Sequence, residues 1–343
     1  MMKTMTKSTL LAIATAATLL ITACHHEVTW VEKYSDAKDY ANGWSGRFGN
    51  IDPTQTWNLA RQVTAIMRIP FNENTKYTVT ICTANPSDAN SRLLAKTMFT
   101  PKDKFVFDVP ATINKVFATV QNGNELLTSG YYDIVDGGIT ITSKKETETI
   151  TDDPEPYEWI IACEDLASTE DYDFNDVVFA VSHAAGQTWV TITPLAAGST
   201  LSAKLLHDGE PIGEIHEMID PNATMTDMAY PPLNTTAKGT PGQPVTIFVS
   251  ESFLLSYTRT QNMGGFAIQV TKILENGTTK ILTLTGSERG EAPQMIVVPR
   301  TWAWPIEGQS IERAYPDFKN WNQDAADYLD WTETNVNTEL VVK

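Results

Sequence analysis

Cysteine is nearly absent from this chain, with three in 343 residues. That excludes a disulfide-stapled scaffold, and the spacing of Cys24, Cys82 and Cys163 fits no zinc site. Basic residues are also scarce: 25 Lys and Arg stand against 42 Asp and Glu, a formal net charge of −17. Phosphate backbones are gripped by clustered cations, so no nucleic-acid partner is expected. After the N-terminal segment, no stretch reaches the roughly 18 apolar residues that a membrane-spanning helix needs. The chain lacks a Gly-x-Ser-x-Gly elbow, a phosphate-cradling glycine loop and a Cys/His pair in a catalytic context. No internal repeat with a period of about 20 to 50 residues is visible. What is present suits a packed core: 42% hydrophobic residues, nine tryptophans, and length for about two domains.

The N-terminus reads as an export signal. Lys3 and Lys7 form a positive head, and Leu10 to Leu20 is an apolar run too short to span a bilayer comfortably. It ends in Leu20-Ile21-Thr22-Ala23-Cys24, small residues before a cysteine, which looks like a bacterial lipobox. Residues 1–23 are therefore expected to be removed and Cys24 to be acylated. The mature chain would carry a net charge of −19, since only Lys3 and Lys7 leave with the signal. Several acyl chains on one cysteine hold a protein on a membrane durably, whereas a single chain does so marginally. Residues 24–60 are expected to be a flexible tether, and His25-His26-Glu27 to belong to it rather than to a metal site.

From residue 61 onward the pattern is β. Tyr77 to Ile81 alternates apolar and polar residues, and Lys104 to Val109, Lys115 to Val120 and Gly138 to Thr142 read alike. Turn clusters such as Asn122-Gly123-Asn124 separate them. These features predict an N-terminal β-sandwich over 61–143. An acidic, proline-punctuated linker is expected over 144–157, and a second β-sandwich over 158–343. Strands of the second are expected at Trp159–Cys163, Val177–Val181, Trp189–Thr193, Val245–Val249, Gly265–Val270, Lys280–Leu284 and Met295–Val298. The fold class is thus all-β, two antiparallel β-sandwich domains. Near the end the period changes: Ile311, Ala314, Phe318, Trp321, Ala325 and Tyr328 mark an amphipathic helix that Pro316 should kink or restart. Ser310 is a candidate cap. Cys82 and Cys163 lie in strand-like runs and are expected to be buried free thiols.

One region stands apart electrostatically. Between Glu146 and Ala203 there is no Lys or Arg but twelve acids, six of them packed into Glu164, Asp165, Glu170, Asp171, Asp173 and Asp176. Carboxylates crowded together on folding repel, which raises their pKa values or demands a cation. Oxygen-only ligands suit a hard cation such as calcium. The run Asp171-Tyr172-Asp173-Phe174-Asn175-Asp176 begins like an EF-hand loop, but the sixth position lacks glycine and the twelfth is Ser182. In an extended stretch Asp171, Asp173 and Asn175 would share one face, with Glu164 or Asp165 arriving from the preceding strand. The other reading is a solvated acidic turn.

The stretch WIIACEDLASTEDYDFNDVVFAV resembles the acidic loop followed by DFND and VVF of the LruC-domain family of Bacteroidetes-type lipoproteins. A second block, GEAPQMIVVPRTWAWPIEGQSIERAYPDFKNW with Asp330-Trp331 behind it, resembles the other end of that domain, including Trp-Pro-x-Glu and Ala-Tyr-Pro-x-Phe-x-x-Trp. The resemblance covers about Tyr157 to Glu333. The middle departs from it, with only a loose echo at Gly213-Glu214-Ile215-His216-Glu217 and nothing for residues 220–242. The resemblance implies an envelope-anchored β domain of undefined activity, with a cation at the DFND loop.

Other chemistries are weaker. His216-Glu217-Met218-Ile219-Asp220 has Asp where a zincin needs its second histidine, and it runs into a turn. A glycosidase needs two carboxylates across a sugar cleft, one with a raised pKa, and no sequence sign singles out such a pair. Trp302, Trp304, Tyr315, Trp321, Tyr328 and Trp331 could form a sugar-stacking platform, but their spacing favours packing. The expected function is therefore non-enzymatic. The chain reads as a lipid-anchored outer-membrane or cell-surface protein with calcium at Glu164, Asp165, Asp171, Asp173, Asn175 and Asp176, and with a role in adhesion or macromolecular recognition. The alternatives are a carbohydrate-binding module and, more remotely, a hydrolase using the acidic cluster.

Overall fold

The computed structural model describes residues 28–70, 72–144, 152–165, 171–256, 263–273 and 278–343. The signal segment, Cys24 and His25-His26-Glu27 lie outside them. Seven strands come first: β1 (Ala60–Arg68), β2 (Tyr77–Cys82), β3 (Leu93–Phe99), β4 (Lys104–Pro110), β5 (Lys115–Asn122), β6 (Glu125–Asp133) and β7 (Gly138–Thr142). They form a sheet in the order β4-β1-β7 and another in the order β3-β2-β5-β6. Alternation drives the layering: along β1, Val63, Ala65 and Met67 turn inward while their neighbours are more exposed. All these pairings are antiparallel except β1 with β7, which is parallel.

The rest of the chain adds β8 (Glu158–Cys163), β9 (Val177–Ser182), β10 (Trp189–Ala196), β11 (Ser202–His207), β12 (Glu210–Glu214), β13 (Val245–Phe248), β14 (Phe266–Ile273), β15 (Thr279–Leu284) and β16 (Met295–Pro299). Five strands order as β13-β10-β9-β8-β16 and four as β12-β11-β14-β15. β8 and β9 sit inside the five-stranded sheet and are buried along nearly their whole length, which is why they read as unbroken apolar runs. Strands β11 and β12 are additions to the sequence expectation. An all-β, sandwich-type architecture results, and Cys82 and Cys163 are buried free thiols.

Two expectations are corrected. Much of the stretch expected as a tether is helix α1 (Val28–Phe48), and Tyr40, Trp44 and Phe48 on it are buried in the core. These three recur at four-residue steps, one helical stripe. The expected linker is not loose at its far end. The Leu93 N–H donates to Glu155 O and the Tyr157 N–H to Leu93 O, both at 2.9 Å, and Asp153 pairs with Lys96. The main core cluster draws residues from both sides of this connection, and so does a small one of Cys82, Leu93 and Ala184. Near the C-terminus the amphipathic period becomes two short helices separated at Pro316, after the one-turn helix α2 (Ile215–Ile219): α3 (Ile311–Ala314) and α4 (Phe318–Gln323). Ser310 stands at the N-cap of α3 without a side-chain capping bond.

A buried carboxyl joins the early sheets to a later loop. Asp108 on β4 accepts from the Leu255 N–H at 2.5 Å, from the Ser256 N–H at 3.3 Å and from the Ser256 hydroxyl. Burial raises its pKa to about 7 against those lowering bonds. The folded state therefore holds a proton that the unfolded chain has already released, so this group's contribution to stability falls as pH rises from about 4 to about 7. Asp108→Asn should flatten the stability–pH profile in that window, by at most about 1.4 kcal/mol per pH unit. Urea melts of mutant and wild type across that range check it, and parallel profiles would show that Asp108 does not titrate there. His183 is buried, with its pKa lowered to about 4, and has the opposite slope below about pH 6.5. It acts equally in both proteins and cancels in the comparison.

Candidate metal centre

Residues 171–176, which lead into β9, do not form an extended ribbon. Tyr172 and Phe174 both adopt positive φ, 56° and 53°. Left-handed backbone at bulky residues costs on the order of 1–3 kcal/mol each, so something must hold it. Two features do. The Glu164 carboxylate accepts the Tyr172 N–H at 3.1 Å and the Phe174 N–H at 2.9 Å, so one side chain fixes the coiled backbone. The two aromatic rings meanwhile go inward. Tyr172 lies 5.4 Å from Tyr40 and 5.6 Å from both Trp44 and Phe48, while Phe174 meets Trp44 and Phe318 edge-on or tilted. Aromatic–acid alternation thus places rings on the core side and carboxylates on the other. The expectation that Asp171, Asp173 and Asn175 share one face of an extended strand is replaced by this coiled loop.

Nor is the loop a solvated turn. Glu164 and Asn175 are fully buried, Asp165, Asp173 and Asp176 are buried, and Asp171 is half-buried. One oxygen each from Glu164, Asp171 and Asp173 lies within 4.8 Å of the others. Asp173 also accepts the Asn175 N–H at 3.2 Å and the Gly308 N–H at 2.8 Å. Asp176 turns away from this triad to accept the Asp165 N–H at 2.6 Å, and Asp165 accepts the Ser199 hydroxyl. The sequence-proposed residues therefore divide. Glu164, Asp171 and Asp173 converge, Asp176 accepts the Asp165 N–H, and Asn175 donates its amide Nδ2 to Pro305 O. Glu170 lies outside the described residues.

Burial pushes the Asp173 pKa up to about 8, and the charges of Asp171 and Glu307 add to that rise. Glu164 and Asp176 are raised well above the ordinary carboxylate range, first by burial and then by neighbouring acids. Each of these neighbouring charges is a carboxylate. Unpaired buried carboxylates take up protons or bind a cation, because the desolvation cost of the bare charge is otherwise several kcal/mol. The donor set, all oxygen and mostly anionic, matches a hard divalent cation.

The centre lies next to a stretch that other proteins share. Residues 286–331 match a family model described as "Domain of unknown function (DUF4842)". None of the curated proteins matches the chain. Among solved structures, the crystal structure of a "Putative lipoprotein" from Bacteroides ovatus is similar, with 15% identity and a TM-score of 0.35. It covers 78% of this chain and 99% of that one.

The matched segment contributes two groups that sequence reasoning did not assign to the site: the Gly308 N–H on Asp173, and Glu307, whose pKa is raised by burial and by Asp171. The signal for Glu307 was present in the Trp304-Pro305-Ile306-Glu307 run, but nothing local tied it to a loop so far away in sequence. His216, the zincin candidate, lies on α2, a helical turn where the sequence suggested none. Its Nδ1 is 2.8 Å from Glu214 Oε1 and its Nε2 2.8 Å from Ser199 O, with Tyr230 stacked on the ring. Both nitrogens are taken up by protein oxygens, so neither is offered to a metal. Trp302, Trp304, Tyr315, Trp321 and Trp331 are buried, and of the suggested stacking platform only Tyr328 is exposed.

Proposed function

We propose that this is a lipid-anchored, LruC-like protein of the bacterial cell envelope, without enzymatic activity, that binds calcium and recognises a macromolecule. The observation that carries the calcium reading is the convergence of Glu164, Asp171 and Asp173, with Glu164 and Asp173 buried and further acids acting on both. Calcium suits it better than magnesium. Calcium accepts a flexible all-oxygen set, whereas magnesium demands a tight octahedron and gives up water reluctantly. Titration calorimetry should detect binding of calcium, with magnesium weaker. Heat signals indistinguishable from buffer for both ions would leave the acids as a protonated structural cluster.

The anchor rests on the lipobox-like Leu20 to Cys24. Cys24→Ala should move the protein from the washed membrane fraction to the soluble fraction. Undiminished membrane retention would remove the anchor from the proposal.

A second reading, carbohydrate recognition, is favoured by a different surface from the one expected. Trp189 and Phe248 stand opposite each other on β10 and β13 and are 45% and 88% exposed. Beside them runs an open groove lined by residues including His207, Asp208, Glu210 and Ser252. Aromatic faces beside carboxylates and hydroxyls are what sugar rings require. Glycan-array binding that disappears in Trp189→Ala would support it, and an array blank for the wild type would remove it.

A further inference from the structure

Two oxygens beside the acidic centre have no hydrogen-bond partner among the described residues although both are buried: Asn175 Oδ1 and Glu307 Oε2. They face the same spot. A Cβ built on Gly198 would overlap Asn175 Oδ1 and lie 2.9 Å from Glu307 Oε2. The amide is held at its other end, where Asn175 Nδ2 donates to Pro305 O at 3.1 Å. Turning it over would set its oxygen against that carbonyl, so either orientation leaves one oxygen facing another. A buried acceptor without a donor is costly, and two that converge, one of them anionic, ask for a positive charge between them. Asp171 and Asp165 lie close enough to act electrostatically on Glu307, and Glu307 in turn on Asp173. Asp173 accepts both the Asn175 N–H and the Gly308 N–H, so the spot borders the Glu164–Asp171–Asp173 triad, and Glu307 joins the three only by swinging toward them.

We propose that Asn175 Oδ1 and Glu307 Oε2 are further ligands of the cation, which thereby ties the segment carrying Glu307 to the loop between β8 and β9. This rests on the calcium reading above. With the triad they make five oxygen-bearing side chains, and one bidentate carboxylate or a water brings the set into calcium's range of about six to eight. Gly198 is the residue that leaves room: any side chain there would occupy the space between the two oxygens.

The test is calcium titration calorimetry on the wild type, Glu307→Gln and Gly198→Ala, with melting curves in chelator as the fold control. Glu307→Gln should weaken calcium binding by at least about tenfold, because site affinity follows ligand charge. Its melting temperature in chelator should hold or rise, since the new amide can donate to Asn175 Oδ1. Gly198→Ala should weaken binding as well. If Glu307→Gln does not fold, Glu307→Asp keeps the charge but shortens the reach, and it should also bind more weakly. A Glu307 variant that folds and binds calcium within about twofold of wild type overturns the assignment while leaving the triad intact. A wild type that binds no calcium overturns both.

Discussion

Trp44→Ala should lower the unfolding free energy by about 4 kcal/mol, near the middle of the range for deleting a buried tryptophan. Trp44 is fully buried on α1 and sits among rings from three other parts of the chain. It stacks on Phe48 at 4.2 Å and meets Trp57, Tyr172, Phe174 and Phe318 edge-on at 5.4 to 6.2 Å. Its Nε1 donates to Asn322 Oδ1 at 2.9 Å, so truncation also strands a buried acceptor. The urea midpoint should fall without a change in slope, because the same surface unfolds. A loss below about 1 kcal/mol would mean that α1 is peripheral and that the N-terminal stretch acts as the tether the sequence suggested.

Calcium should raise the melting temperature, and by more at pH 8 than at pH 6.5. If it binds only the folded state, a free concentration about a hundredfold above Kd adds about 2.7 kcal/mol, or roughly 5 °C for a chain of this size. The pH dependence follows from the raised acids. Asp173 titrates at about 8, and Glu164 and Asp176 are raised well above their ordinary range. The folded apo protein holds these protons above about pH 4, where the unfolded chain has released them. Its stability therefore declines as pH rises toward 8. Calcium competes with the same protons, so it binds better as they leave and restores what the apo form loses. Asp173→Ala should remove the calcium response and flatten the apo decline, because it deletes both a ligand and a source of repulsion. Thermal melts of both proteins in chelator and in millimolar calcium decide this. A calcium shift retained in Asp173→Ala would displace the site from this loop.

Strands were the most legible part of the fold. Alternation in Tyr77 to Ile81 and the unbroken run from Trp159 to Cys163 are local consequences of facing one or two layers, and β2 and β8 occupy those positions. Strands β11 and β12 were harder to see. They are short, and Lys204, Glu210 and Pro211 interrupt their apolar pattern. Helix α1 carried a faint signal in Tyr40, Trp44 and Phe48, set among Gly, Asn and Asp that suggest a loop. Its burial comes from rings that the rest of the chain brings to it.

The crowding of acids between β8 and β9, with no basic residue near them in the chain, and the β architecture were both legible from the residues in order. Both are properties of neighbouring residues, and neighbours are all that composition and periodicity record. Which acids converge depends instead on packing between distant parts of the chain. The positive φ at Tyr172 and Phe174 depends on an aromatic core assembled from α1, α4 and Trp57 just ahead of β1. The placing of Glu307 and the Gly308 N–H against Asn175 and Asp173 depends on the C-terminal segment folding back over the first strands of the same sheet. Such contacts join residues far apart in the chain, and their free energy exists only once the core that brings them together has formed.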